Sequence, residues 1–111
     1  IRDECTGQVY PDGSVSKSVT EKDRQKLNEG ADISQEILKK AGAKSTLVSK
    51  AIGGSHPGGT AAIGTVVDKD LQTEINNLFI CDASVLPTSS GLPPILTIVA
   101  LAKRLAKTLA P

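Results

Sequence analysis

Gly53-Gly54-Ser55-His56-Pro57-Gly58-Gly59-Thr60 sets four glycines around the single histidine of the chain. Glycine, lacking a Cβ, lets backbone come close to a ligand and visit positive φ, and Pro57 restricts φ just after the histidine. The stretch therefore reads as a loop that holds one imidazole in place. An imidazole can take and return a proton near neutral pH, which makes His56 a candidate catalytic base. The other reading is a solvated or hydrogen-bonded loop histidine. No second histidine, and no cysteine or carboxylate at ligand spacing, accompanies it, so no metal site is expected.

The flanking sequence sets what carries this loop. Residues 45–52 form a β-branched run that predicts a short strand leading directly into it, with His56 just past the strand end. Val66-Val67-Asp68 reads as a further short extended piece. Residues 74–77 are a polar turn before Leu78-Phe79-Ile80-Cys81, an uninterrupted apolar run of the kind shown by a strand buried on both faces. Asp82 ends that run. A carboxylate at the carboxyl edge of a central strand is where open α/β sheets hold ribose-type hydroxyls, and capping the next turn explains it equally well.

Residues 1–10 run in an irregular, β-tolerant pattern to the turn signal Pro11-Asp12-Gly13, and residues 15–19 then alternate with the period of a strand. Together they predict a hairpin. Thr20 followed by Asp23 resembles a capping box with Asp in place of Glu, which predicts a helix from near Glu21. Ile33, Ile37, Leu38 and Ala41 continue one apolar face, and Gly42 supplies the stop. Gly30 weakens the middle by about 1 kcal/mol relative to alanine, so one helix kinked at Gly30 and two short helices fit equally well. After the loop of residues 87–93, Pro94 opens a last helix to about Leu109. Its stripe is Ile95, Ile98, Leu101, Ala102, Leu105 and Leu109, with Lys103, Arg104 and Lys107 near the end where the helix dipole favours cations. Its N-terminus either stays free for an electron-rich ligand atom or is satisfied by Thr97 and solvent.

Composition narrows the function classes. A chain of 111 residues that is 39% hydrophobic and 23% charged has a globular balance and room for one modest core. Thirteen basic against twelve acidic residues, with one Phe and one Tyr, leave no electrostatic or stacking footprint for nucleic acid. The longest apolar stretch, residues 95–102, is too short to span a bilayer, and no signal peptide is apparent, so a soluble, cytoplasmic location is expected. Cys5 and Cys81 lie too far apart for a CxxC pair, and Cys81 reads as a small buried hydrophobe, as in a reducing compartment. The chain starts at Ile1 and contains no methionine, so it is expected to be a fragment of a longer product. A Walker loop fails because no lysine follows Gly58 or Gly59. A GxGxxG fingerprint between strand and helix is absent, as is a GxSxG elbow.

The motifs His56-Pro57-Gly58-Gly59-Thr60, Val66-Val67-Asp68, Asn77-Leu78-Phe79-Ile80-Cys81-Asp82-Ala83-Ser84-Val85-Leu86-Pro87 and Pro93-Pro94-Ile95-Leu96-Thr97-Ile98, followed by an alanine-rich helix, resemble in order the C-terminal region of glucose-methanol-choline (GMC) FAD-dependent oxidoreductases. The likeness is sharp from about Gly53 onward and looser upstream. It implies that His56 is the base on an alcohol hydroxyl while hydride passes to the flavin. It also implies that Asp82 with Ala83 contacts the ribityl and pyrophosphate part of FAD, and that Pro94 with Ile95 presents a helix N-terminus to the flavin pyrimidine carbonyl. One position departs from the pattern: the family commonly has a His or Asn donor where this chain has Pro93.

The resulting expectation is an α+β fold: a hairpin, a middle helix, short strands and a C-terminal helix, forming the C-terminal fragment of a two-domain FAD oxidoreductase. On the resemblance, residues 1–52 belong to the substrate-domain side, and residues 53–111 carry the His loop, the flavin-contacting strand and the last helix. The expected partners are an N-terminal FAD-binding region of the same protein and a small alcohol, with no nucleic acid or membrane. Alone, the chain is expected to be inactive and to self-associate. The alternative, favoured by Pro93, is a non-catalytic interaction or ligand-binding module derived from this fold.

Overall fold

Pro11, Asp12 and Gly13 reverse the chain as their side chains dictate. Asp12 Oδ1 accepts from the Ser14 N–H at 2.9 Å and the Ser14 hydroxyl at 2.7 Å. Gly13 takes φ +81°, open to glycine at no steric cost. The flanking strands β1 (Gln8–Val9) and β2 (Val15–Ser16) pair antiparallel, Gln8 opposite Ser16 and Val9 opposite Val15. The hairpin is shorter than the alternation predicts because neither strand has a further partner or a covered face. The structure is a computed structural model and describes residues 1–110.

Helix α1 (Glu21–Lys40) starts where the Thr20 hydroxyl accepts from the Asp23 N–H at 3.1 Å. Acidic Glu21 and Asp23 in its first turn and Lys39 and Lys40 in its last complement the dipole. It is one continuous helix: Gly30 lies inside it, its cost outweighed by the good helix formers on both sides. It ends in a Schellman turn, with Gly42 at φ +94° donating to the Lys39 carbonyl and Ala43 to that of Leu38, each at 3.0 Å. Yet Ile33, Ile37 and Leu38 on its apolar face are exposed.

The core lies elsewhere. Val67, Leu71 and Val85 are buried, with Ile63, Ile80, Cys81, Leu101 and Leu105 packed against them. Helix α2 (Ile95–Leu109) docks through Leu101 and Leu105, one turn apart, and through the Arg104 guanidinium donating to the Lys69 carbonyl. Ile95 and Leu109 of its predicted stripe remain exposed. The two helices and the antiparallel pair make the chain α+β. No helix among the described residues is long and apolar enough to cross a membrane.

Two predicted strands do not form. Residues 45–52 are irregular and Leu47 is fully exposed, because no neighbouring strand supplies a hydrogen-bond ladder. Leu78-Phe79-Ile80-Cys81 is not a doubly buried strand either. A single bridge links Phe79 to Gln72, Ile80 donates to the Leu71 carbonyl at 3.0 Å, and Leu78 stays exposed. Only Ile80 and Cys81 reach the core, since the run meets a partner on one edge alone. Val66-Val67-Asp68 is likewise a turn with bridges at Val67 to Ile63 and Thr73, not an independent strand.

The whole is elongated, 58 × 32 × 19 Å, with a radius of gyration of 18.2 Å. A compact domain of this length has about 13 Å. The chain exposes 8574 Å², against roughly 5,800 Å² for a compact protein of its mass.

Several carboxylates tie these pieces together and make stability depend on pH. Lys17 holds the Asp3 carboxyl low, the Thr20 hydroxyl and Lys22 hold Glu4 low, and Ser14 holds Asp12 low. At Asp23 burial pushes upward, and bonds from Glu4 and Thr20 with the charge of Lys26 outweigh it, leaving the carboxyl below its usual value. A depressed folded pKa contributes stability that is complete above the unfolded value of about 4 and is lost as pH falls through the folded value. Helicity by far-ultraviolet circular dichroism is therefore expected to stay level from about pH 7 to 5 and to decline below about pH 4. A flat signal down to about pH 2 contradicts this account.

Candidate functional site

The His56 loop is exposed through Gly58 and becomes anchored only where it meets the turn after Asp82. Gly59 and Ala61 both donate to the Ser84 carbonyl at 3.0 Å, and Ile63 donates to that of Val85 at 2.9 Å. Gly58 makes this approach possible: a side-chain carbon there would lie 3.0 Å from the Ala83 carbonyl oxygen, and backbone cannot yield as a flexible side chain can. Gly59 adds φ +89°. The glycines after His56 thus serve the joining of two backbone segments.

On the other side of the join, Asp82 caps the 3-10 turn Ala83–Val85, its Oδ1 accepting from the Ser84 N–H at 2.7 Å. The Ser84 hydroxyl and then its N–H hold the Asp82 carboxyl below the usual range. An ionised acceptor therefore stands at the surface in the turn that the loop joins, and the structure gives it the capping role. Val85, the last residue of the turn, is fully buried in the core and fixes its place. Asp82 to Ser84 is the two-residue spacing of an Asx turn, which is the capping alternative read for Asp82 from the sequence.

The imidazole of His56 makes no hydrogen bond among the described residues, and two surface depressions, one by Ala100 and Lys103 and one by Gly64 and Gln72, lie away from it. Pro94 is buried and is the N-cap of α2, with no side-chain cap on the helix end, so Thr97 does not close it. The N–H groups of Ile95, Leu96 and Thr97 precede the first intrahelical bond, from Ile98 to the Pro94 carbonyl at 2.9 Å. Ile95 and Pro93 are exposed. The structure thus joins the His56 and Asp82 segments directly by backbone hydrogen bonds, while Pro94 and Ile95 follow the loop of residues 87–92 and begin a helix that packs on the same core through Leu101 and Leu105.

Residues 6–102 match the family model described as GMC oxidoreductase, in its C-terminal form. The chain belongs to the GMC oxidoreductase family. It is a C-terminal region of that oxidoreductase family and contains both segments of the join within the matched residues. An uncharacterized protein of Methanocaldococcus jannaschii is 36% identical over 109 residues, 96% of this chain and 27% of its own length. Neither inactivation nor afterpotential protein G of Drosophila melanogaster is 45% identical over 56 residues, 50% of this chain and 10% of its own length. The chain therefore spans about a quarter of the first relative and a tenth of the second. No solved structure matches.

Proposed function

We propose that the chain is the C-terminal catalytic part of an FAD-dependent oxidoreductase that oxidises an alcohol CH–OH group, with His56 as the base. The observation that supports this best is the join of the His56 loop to the Asp82 turn through Ser84 and Val85. It ties the segment that follows His56 to the turn that carries the Asp82 carboxylate.

The donor set suits a flavin. Asp82 offers an exposed anionic acceptor for ribityl hydroxyls, and Ala83 follows it at the start of a turn. The uncapped end of α2 at Pro94 and Ile95 offers N–H groups and the positive end of a dipole to a carbonyl oxygen that gains negative charge. FAD, when bound, supplies the two-electron acceptor for the hydride leaving the alcohol carbon. His56 takes the hydroxyl proton, so the alcohol loses a proton and a hydride and becomes a carbonyl compound. Pro93 carries no donor for the substrate oxygen, which leaves His56 as the one proton-handling side chain assigned here. An N-terminal region of the same protein completes the flavin site.

The test is flavin retention and bleaching in the full-length protein. It is expected to purify with FAD and to be bleached anaerobically by an alcohol. Asp82→Ala is expected to lower the flavin-loaded fraction severalfold while the loaded fraction reacts at nearly the wild-type rate. That variant also removes a cap worth about 1 kcal/mol, so Asp82→Asn, which keeps the cap and drops the charge, separates the two effects. Undiminished FAD in Asp82→Asn and Asp82→Ala removes Asp82 from the cofactor site. A wild-type protein that never binds FAD leaves the non-catalytic module as the better reading.

A further inference from the structure

We propose that Asp23, in the first turn of α1, is a positioning residue for the loop of residues 87–92 that leads into Pro93 and Pro94, acting through the N-terminal segment Arg2-Asp3-Glu4. The proposal rests on the flavoenzyme reading, which gives that loop its use.

Among the described residues the largest fully buried side chains are Leu71, Val85 and Asp23. Leu71 and Val85 are core, whereas the third is a carboxylate, which is costly to withdraw from water unless donors meet its oxygens. Both Asp23 oxygens accept from one donor, the Glu4 backbone N–H, at 3.1 and 3.2 Å. Lys26, one turn along, lies 3.6 Å from Asp23 and donates to the Arg2 carbonyl at 2.8 Å. The first turns of α1 therefore grip the backbone at Arg2 and at Glu4. Lys22 reaches the Glu4 carboxylate at 3.2 Å, and Lys17 reaches that of Asp3 at 3.0 Å.

The gripped segment lies against the loop. A side-chain carbon at Gly91, which has φ +74°, would stand 3.2 Å from the Arg2 nitrogen. Lys17 and, more weakly, the Ser89 hydroxyl hold the Asp3 carboxyl low, and Cys5 Sγ is 4.0 Å from the Pro87 carbonyl oxygen. The loop has little else to fix it. No backbone–backbone hydrogen bond joins residues 87–92 to the rest of the described chain. Its own bonds are local: Gly91 N–H to Ser89 Oγ and Leu92 N–H to Ser90 Oγ, both 3.4 Å, and the Ser90 hydroxyl to the Leu92 carbonyl at 2.5 Å. The loop rests on the N-terminal segment, and Asp23, together with Lys26 and Lys17, holds that segment. A shift of about 1 Å at the start of α2 is enough to slow catalysis by about 10²-fold.

Amide hydrogen exchange and flavin reduction in the full-length protein test this. In Asp23→Ala, exchange at Glu4 and at residues 88–92 is expected to rise about tenfold or more, as a local opening does. Residues 59–63 should keep their protection, and flavin content should hold. Reduction by an alcohol should slow about 10- to 100-fold, and Asp23→Asn, which keeps an acceptor, should recover most of it. Gly91→Ala separates loop from segment without touching α1, and should raise exchange at residues 88–92 while Glu4, still bound to Asp23, keeps its protection. Unchanged exchange at residues 88–92, or an equal rise at residues 59–63, overturns the proposal. The exchange pattern does not depend on turnover: if it appears in a protein that no alcohol reduces, the coupling stands and the flavoenzyme reading falls.

Discussion

Replacing His56 with alanine in the full-length protein is expected to slow reduction of the flavin by an alcohol about 10²- to 10⁴-fold, the usual contribution of general base catalysis. Flavin content should stay near normal. The separation follows from how the loop is anchored: Gly59, Ala61 and Ile63 bind the Asp82 turn through backbone atoms, and the His56 side chain takes no part. Removing the imidazole therefore takes away a proton acceptor and leaves the join intact. Substituting the glycine two residues later has the opposite profile, because a Cβ at Gly58 would press on the Ala83 carbonyl at 3.0 Å and disturb the turn itself. Wild-type reduction rates in His56→Ala, measured by anaerobic stopped-flow, remove His56 from the mechanism.

The 111-residue chain on its own is expected to self-associate and to retain no FAD after dialysis. Its 8574 Å² of exposed surface exceeds that of a compact protein of its mass by about 2,800 Å². A standard protein–protein interface buries about 1,200–2,000 Å² in total. The excess is partly apolar: Ile33, Ile37 and Leu38 on α1, Leu47 beyond it, and Leu92, Ile95 and Leu96 at the start of α2 all stand open. Apolar surface left open in this way tends to be covered by association. Sedimentation equilibrium should return at least twice the 11.5 kDa of one chain. A monomer that keeps one equivalent of FAD sinks this prediction and locates a complete flavin site within these residues.

Local chemistry marked where both helices start, where α1 stops and where the hairpin turns. Thr20 and Asp23 set the start of α1, Gly42 set its end, Pro11-Asp12-Gly13 set the hairpin, and Pro94 set the start of α2. Each depends on atoms within a few residues, so each could be read from the chain in order. Residues 45–52 and 78–81 could not be read this way, because an apolar run becomes a strand only when another segment supplies its ladder. Here residues 45–52 have none and residues 78–81 have one edge. The same limit applied to the site. His56 and Asp82 stood out by residue type, but only the fold decided that Ser84 and Val85 receive the backbone following His56, and that Asp23 receives the amide of Glu4. Those contacts join residues about 20 positions apart, set by packing around Val85 and by the burial of a single carboxylate. Neither leaves a periodic mark on the sequence, because a backbone carbonyl can serve as acceptor whatever side chain it carries.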